Sequence, residues 1–360
     1  MTAALLDLAR SWWEWCAPVS LQVAVMYVIV AALDGLLRRR TPPGGLAVLW
    51  MLVLVRWLVP PSLESPMGLS MPWDALGPIT AQPTEPSREA LAAFLVWLSG
   101  CCILGGVAIS KCRGLRREWL GGASRPPPAG IAGLAREAAG RLGLASLPEV
   151  HVVESAAGPA VVGFLRPIVV LPAGFIETAT REELIHVLLH ELAHVKRRDP
   201  LLQLLCLVSQ VVFWFHPSIW LARRRLSALT EICCDEAVVA ADGGCAAGYR
   251  RTLLQLARPM LAPRPFGSLH FFPRRSQLLL RVERLARLDG RGGVCPCRRR
   301  ILRRALAGCL WATVLLCSLT PVRPRAGALE FTPLSFESLE GCLQLRYAVQ
   351  AAVARQSLDR

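Results

Sequence analysis

Long apolar runs separated by short basic clusters organise this chain. One run covers about residues 19–37, a second about 44–59, and a third 90–109, which carries no charge. A fourth covers about 305–322. A bilayer-crossing helix needs ~17–25 apolar residues, so the second and fourth runs are marginal and lean on their flanks. The alternative for so short a run is a buried core helix. Arg298, Arg299, Arg300, Arg303 and Arg304 abut the fourth run and favour a span. Between the third and fourth runs the pattern shortens. Residues 131–142 read as a helix, and 149–155, 159–164 and 167–171 as strands, with Gly163 and Pro167 near a turn. A further apolar run covers 200–215, but it is short and carries Gln203 and Gln210.

Composition agrees with a chain that lives partly in lipid. Hydrophobic residues make up 53% of the 360 and charged residues only 19%, which excludes a disordered chain and opposes an ordinary soluble enzyme. The net charge is +15, carried by 39 Arg and 2 Lys. Of these 41 basic residues, 30 fall between 111 and 304, and Arg38, Arg39 and Arg40 follow the first run. The loop after Pro60 has one basic residue, Arg88, at its end. Basic loops stay in the cytoplasm. The expected layout is therefore a membrane region over 1–110 with helices at about 19–37, 44–59 and 90–109. A cytoplasmic domain over 111–304 follows, then a fourth span over 305–322 and an extracytoplasmic tail over 323–360. The N-terminus is expected outside, without a cleaved signal peptide. The 13 Cys are scattered and give no disulfide framework.

The sharpest chemical signal is His190-Glu191-Leu192-Ala193-His194. Thr180 and Glu183 have capping-box spacing, so a helix should start near Arg181 and place both histidines on one face. Two imidazoles one turn apart can share one Zn²⁺, with Glu191 as general base for the attacking water. Glu231 is the candidate third ligand, which completes a two-histidine, one-glutamate site. Asp235 shares its helix face and can orient a ligand imidazole. The alternative, that both carboxylates pair with Arg223 to Arg225, is opposed by their distance along the chain. Cys233 and Cys234 are read as packing residues rather than thiolate ligands. If run 200–215 crossed the bilayer once, Glu231 would lie opposite the histidines. It is therefore expected to pack in the domain or lie against the membrane.

Residues 190–199 (HELAHVKRRD), 213–217 (FWFHP), 231–237 (EICCDEA) and 163–172 (GFLRPIVVLP) together resemble the BlaR/MecR-type membrane zinc metallopeptidases. The resemblance is close over about 145–250. It implies an α-helical multi-pass inner-membrane protein whose cytoplasmic α+β gluzincin-like domain lies between the third and fourth spans. It implies that His190, His194 and Glu231 bind one zinc ion and that Glu191 is the catalytic base. It also implies cleavage of the chain itself and of a cytoplasmic protein such as a transcriptional repressor. One departure matters. The β-lactam sensors of that family carry a large penicillin-binding domain after the last span, whereas about 40 residues follow here. Neither lysine lies three residues after a serine, so no Ser-x-x-Lys exists and β-lactam acylation is not expected.

The remaining polar residues read as structural. His186, one turn before His190, is expected to pack, His216 to cap or line a loop, and His151 to sit in a strand. Tyr249 is an oxyanion donor by residue type alone. Residues 281–287 read as an exposed amphipathic helix facing solvent or lipid headgroups rather than nucleic acid. Cys295 and Cys297 lack metal-binding spacing. Asp34 and Arg56, near span ends, are expected to reach the interface. The competing readings are a receptor or scaffold that retains the metal site without turnover, and a membrane-tethered DNA-binding protein. The latter has no recognisable DNA-binding motif. A homodimer is left open.

Overall fold

A computed structural model of the chain describes residues 2–38, 41–58, 88–121, 124–154, 158–261 and 275–289. The fourth apolar run, the 323–360 tail, Cys295 and Cys297 lie outside the described residues. The elements are α1 (Thr2–Leu37), α2 (Pro43–Leu58), α3 (Arg88–Leu120), α4 (Ala129–Leu142), β1 (Val150–Val153), β2 (Ala160–Val162) and β3 (Ile168–Pro172). They continue with α5 (Ala173–Thr178), α6 (Arg181–Arg197), α7 (Asp199–Val212), α8 (Pro217–Ala241), α9 (Ala246–Leu261) and α10 (Arg275–Asp289). By length and composition, α1 and α3 can each cross a membrane, and α2 and α7 are shorter apolar helices. Two of the helices outrun their apolar cores. α1 begins at Thr2, and α3 continues unbroken through Lys111 and Arg117.

Two hydrophobic cores meet along α8. The first joins Val19, Val23 and Met26 of α1, Trp50, Leu54 and Trp57 of α2, Phe213, and Ile219, Leu226 and Leu229 of α8. The second joins Ala135 and Ala138 of α4, Leu171 of β3, Leu188 and Leu192 of α6, Val238 of α8, Tyr249 of α9 and Leu285 of α10. α8 thus carries packing from the apolar helices directly into the domain that holds the histidines.

The 200–215 run does not separate Glu231 from the histidines. α7 runs beside α2 and α3, the chain reverses, and α8 returns along α2. Polar indole hydrogens fix the reversal. Trp97 Nε1 donates to the Val212 carbonyl at 2.6 Å, and Trp214 Nε1 to the Trp97 carbonyl at 3.3 Å. Gly100 is required by this approach, because a Cβ there would stand 2.3 Å from the Trp214 ring. His216 caps α8 by accepting from the Ser218 N–H, and Pro217 takes the first helical turn, where its missing N–H costs nothing.

Asp34 and Arg56, expected near span ends, are both held by partners on neighbouring helices. Asp34 is buried, accepting from Trp50 Nε1 at 3.1 Å and from Arg225 Nε and Nη2 at 2.6 and 3.0 Å. Arg56 is buried and donates to Gln22. Buried charges need partners, and helix packing supplies them here.

The sheet has the order β1-β3-β2, with β1 parallel and β2 antiparallel to β3. Only β2 and β3 form a hairpin, so the 149–172 segment is a mixed sheet. Gly163 at the turn has φ +93°, and a Cβ there would meet the Arg166 carbonyl at 2.6 Å. Arg125, at the start of the Pro-rich segment, bridges to Val152 of β1. β2 is left as an edge among the described residues.

Candidate metal centre

α6 starts where its capping box says it should. The Glu183 N–H donates to the Thr180 hydroxyl, and the Thr180 N–H donates to the Glu183 carboxylate at 2.8 Å. From that start, 3.6 residues per turn bring His190 and His194 onto one face. Their Nε2 atoms lie 3.3 Å apart. α8 passes across α6 and delivers Glu231, whose Oε2 is 3.5 Å from His190 Nε2 and whose Oε1 is 3.7 Å from His194 Nε2. Among the described residues, these three side chains form one of two groups able to hold an ion. The other, His194, Asp199 and Cys234, is built on the opposite nitrogen of the same imidazole.

Each histidine is held from behind. His194 Nδ1 faces Asp199 Oδ2 at 2.9 Å. The backbone makes this possible, because Arg198 ends α6 with φ +58° and the chain turns so tightly that Asp199, opening α7, points back under the histidine. On the other side, the Tyr249 hydroxyl donates to Asp235 Oδ1 at 2.7 Å and lies 3.0 Å from His190 Nδ1. Asp235 Oδ1 is itself 3.4 Å from that nitrogen. A carboxylate behind an imidazole fixes its tautomer and turns the other nitrogen outward.

Arg281 of α10 ties Glu231 and Asp235 of α8 together. Its Nε and Nη2 donate to Asp235 at 2.8 and 2.7 Å, and its Nη1 lies 2.9 Å from Glu231 Oε2. Residue spacing alone does not reveal this contact. Helix 281–287 reads as exposed, yet Arg281 is turned into the site, Leu285 is fully buried, and Arg287 alone of its arginines keeps a mostly exposed side chain. The partner of Glu231 is therefore Arg281, not the Arg223–Arg225 cluster. Arg225 goes to Asp34 and Arg223 to Gln210.

The electrostatics follow from these contacts. Burial alone would lower the His190 pKa, but hydrogen bonds to Asp235 and Glu231 overcome it and raise the group to about 10. Burial would raise Glu231, yet the His190 hydrogen bond and the Arg281 charge hold it at about 2. Asp235 is likewise held below the usual carboxylate range by Arg281 and His190, against burial. Burial and the neighbouring Asp199 charge push the Cys234 thiol far up. Four carboxylates (Glu191, Asp199, Glu231, Asp235) stand against two guanidiniums (Arg197, Arg281) around the site, a balance that favours a bound cation.

A cavity of about 830 Å³ opens onto these groups, lined by His190, Glu191, His194, Glu231, Tyr249 and Arg281. Pro159, Ala160 and Val161, at and before β2, form part of its wall. Tyr249, on the same cavity wall, donates its hydroxyl hydrogen to Asp235. His186 is fully buried, bonded to Thr252 and Asp242 away from the cavity. His151 sits in β1, as its pattern suggested. Asp199, Tyr249 and Arg281 are thus placed at the site without a local sequence signature, although Asp199 is contiguous with the histidine motif.

The donor set has the right chemistry and spacing for zinc. Tetrahedral ligands on Zn²⁺ at ~2.0–2.1 Å stand about 3.3 Å from one another. The Nε2–Nε2 distance of 3.3 Å matches that edge, and Glu231 presents one carboxylate oxygen to each imidazole, Oε2 at 3.5 Å from His190 and Oε1 at 3.7 Å from His194.

Comparison with known proteins bears on the same segment. The family described as BlaR1 peptidase M56 matches residues 16–285, three quarters of the chain. The methicillin resistance mecR1 protein of Staphylococcus aureus is 33% identical over 81 residues, 22% of this chain and 14% of that protein. The regulatory protein BlaR1 of Bacillus licheniformis is 37% identical over 81 residues, 22% of this chain and 13% of that protein. The aligned part is therefore about one seventh of the length of these relatives.

Proposed function

This chain belongs to the BlaR1 peptidase M56 family, and on that premise we propose that it is a zinc-dependent endopeptidase of a regulatory system, anchored in the inner membrane with its metal centre facing the cytoplasm. The observation that carries this reading is the convergence of His190, His194 and Glu231 on one point, with Glu191 on the wall of the same cavity. A scaffold without turnover would need no glutamate at that position.

In this reading His190, His194 and Glu231 hold the ion. Zn²⁺, when bound, supplies a Lewis acid that activates water and polarises a peptide carbonyl. Glu191 accepts the proton of the attacking water and passes it to the leaving amine. Asp199 and Asp235 keep the two imidazoles oriented, and Arg281 offsets the charge of Glu231 and Asp235 so that three carboxylates can crowd one ion. A substrate segment adds as a strand along β2, which places its backbone beside the metal centre. The names of the relatives support a regulatory role, and a cytoplasmic transcriptional repressor is the proposed substrate, together with the chain itself.

The membrane reading rests on α1 and α3 and on the basic residues that follow them. α7, with 14 residues, is about 21 Å long. That falls short of the ~30 Å hydrocarbon layer, so α7 and the first half of α8 enter the membrane as a hairpin and leave on the side they came from. Self-cleavage and cleavage of co-encoded repressors, followed by mass spectrometry for the full chain and its Glu191→Gln variant, test the proposal. Fragments from the parent alone are expected, and equal fragmentation of both would overturn it.

A further inference from the structure

A second cavity, of about 810 Å³, is walled by α1, α2, α8 and α10. Five arginines line it: Arg38 at the end of α1, Arg224 and Arg225 of α8, and Arg284 and Arg287 of α10. Against them stand only Asp34 and Glu283. Arg225 is taken by Asp34, Arg284 by Glu236 and Arg287 by Glu283. Arg38 and Arg224 have no carboxylate within ion-pair distance among the described residues. The remaining wall, with Tyr27, Leu46 and Leu221, is apolar.

From this arrangement we propose that the cavity is a binding site for a phosphate-bearing anion, supplied by the headgroup of an anionic phospholipid. Guanidinium groups recognise phosphate oxygens in pairs, and two unpaired ones facing a concave site are suited to one phosphate. The apolar wall suits the glycerol and first methylenes of a lipid. The position also suits it, because Arg38 directly follows the apolar stretch of α1 and the start of α2 at Pro43 opens on the same cavity. α10 joins this cavity to the metal centre, lining the one with Arg284 and Arg287 while Arg281 reaches Glu231. The site stands independently of the peptidase reading, and only the source of the phosphate depends on the membrane reading.

The test uses the full chain in phosphatidylcholine nanodiscs, with and without phosphatidylglycerol, and inorganic phosphate titrated into the phosphatidylcholine sample. The readouts are retained anionic lipid by native mass spectrometry and the thermal midpoint. Phosphatidylglycerol is expected to bind and raise the midpoint. R38A/R224A should weaken binding by about fivefold per arginine, and R38K/R224K, which keeps the charge but not the guanidinium fork, should fall between R38A/R224A and the parent. R116A/R117A, on the exposed basic turn of α3, should bind as the parent does. A midpoint rise with inorganic phosphate that R38A/R224A removes would support the site and assign it a soluble anion. Full binding by R38A/R224A, equal loss in R116A/R117A, or no response to either probe would overturn it. Zinc content should be unchanged in R38A/R224A, which keeps this result separate from the fate of the metal centre.

Discussion

The two ends of α8 handle buried charge in opposite ways. At its first half, Asp34 is matched by Trp50 and Arg225, which both donate to its carboxylate, so the charge is satisfied although all three residues line the arginine-bearing cavity. At its second half, Glu231 and Asp235 are also paired, with Arg281, but the remaining faces of Glu231, His190 and His194 look at one another across a shared gap. Burial of charge is common to both. What marks the second as a site is incomplete satisfaction, with lone pairs from two helices left aimed at one point beside an 830 Å³ cavity. The first is cohesion, which ties α1 to α8 across 191 residues of sequence.

Replacements at the two ends should therefore fail differently. The largest effect is expected at the gap, where His194→Ala should abolish stoichiometric metal and, with it, proteolysis, as read by elemental analysis and a cleavage assay. Next comes Arg225→Ala, which strands a buried carboxylate. It should destabilise the fold by about 3 kcal/mol in a denaturation experiment and leave metal affinity per folded molecule unchanged. If Arg225→Ala lost metal without losing stability, the two ends would not be separate in kind. Asp199→Asn keeps the shape but removes the charge behind His194 and should weaken zinc binding by about 10–100-fold in a chelator competition. Arg198→Gly, relieving the left-handed turn that aims Asp199, should stabilise by about 1 kcal/mol without a change in metal content.

The grouping of His190, His194 and Glu231 was more legible than its surroundings, for a physical reason. His190, Glu191 and His194 lie within two turns of one helix, so spacing alone fixes their relation, and the capping box fixes where that helix begins. Glu231 was legible as a carboxylate with an i,i+4 partner on a helix. Arg281 was not, because an arginine in an Arg-rich amphipathic segment looks the same whether it faces water or a carboxylate. The packing of Leu285, with Leu278, Val282 and Leu288 around it, turns α10 so that Arg281 points inward. Tyr249 likewise depends on how α9 sits against α6. The run 200–215 shows the opposite limit. Hydropathy recorded that it is apolar, while its reversal depends on Trp97, Gly100 and Trp214, which lie more than 100 residues apart in two segments.

Zinc content measured together with cleavage on three purified forms of the full chain tests the central claim most directly. The parent should hold one ion and cleave, Glu191→Gln should hold one ion and not cleave, and Glu231→Ala should do neither. A Glu231→Ala protein that keeps a full equivalent of zinc and its activity would contradict the account.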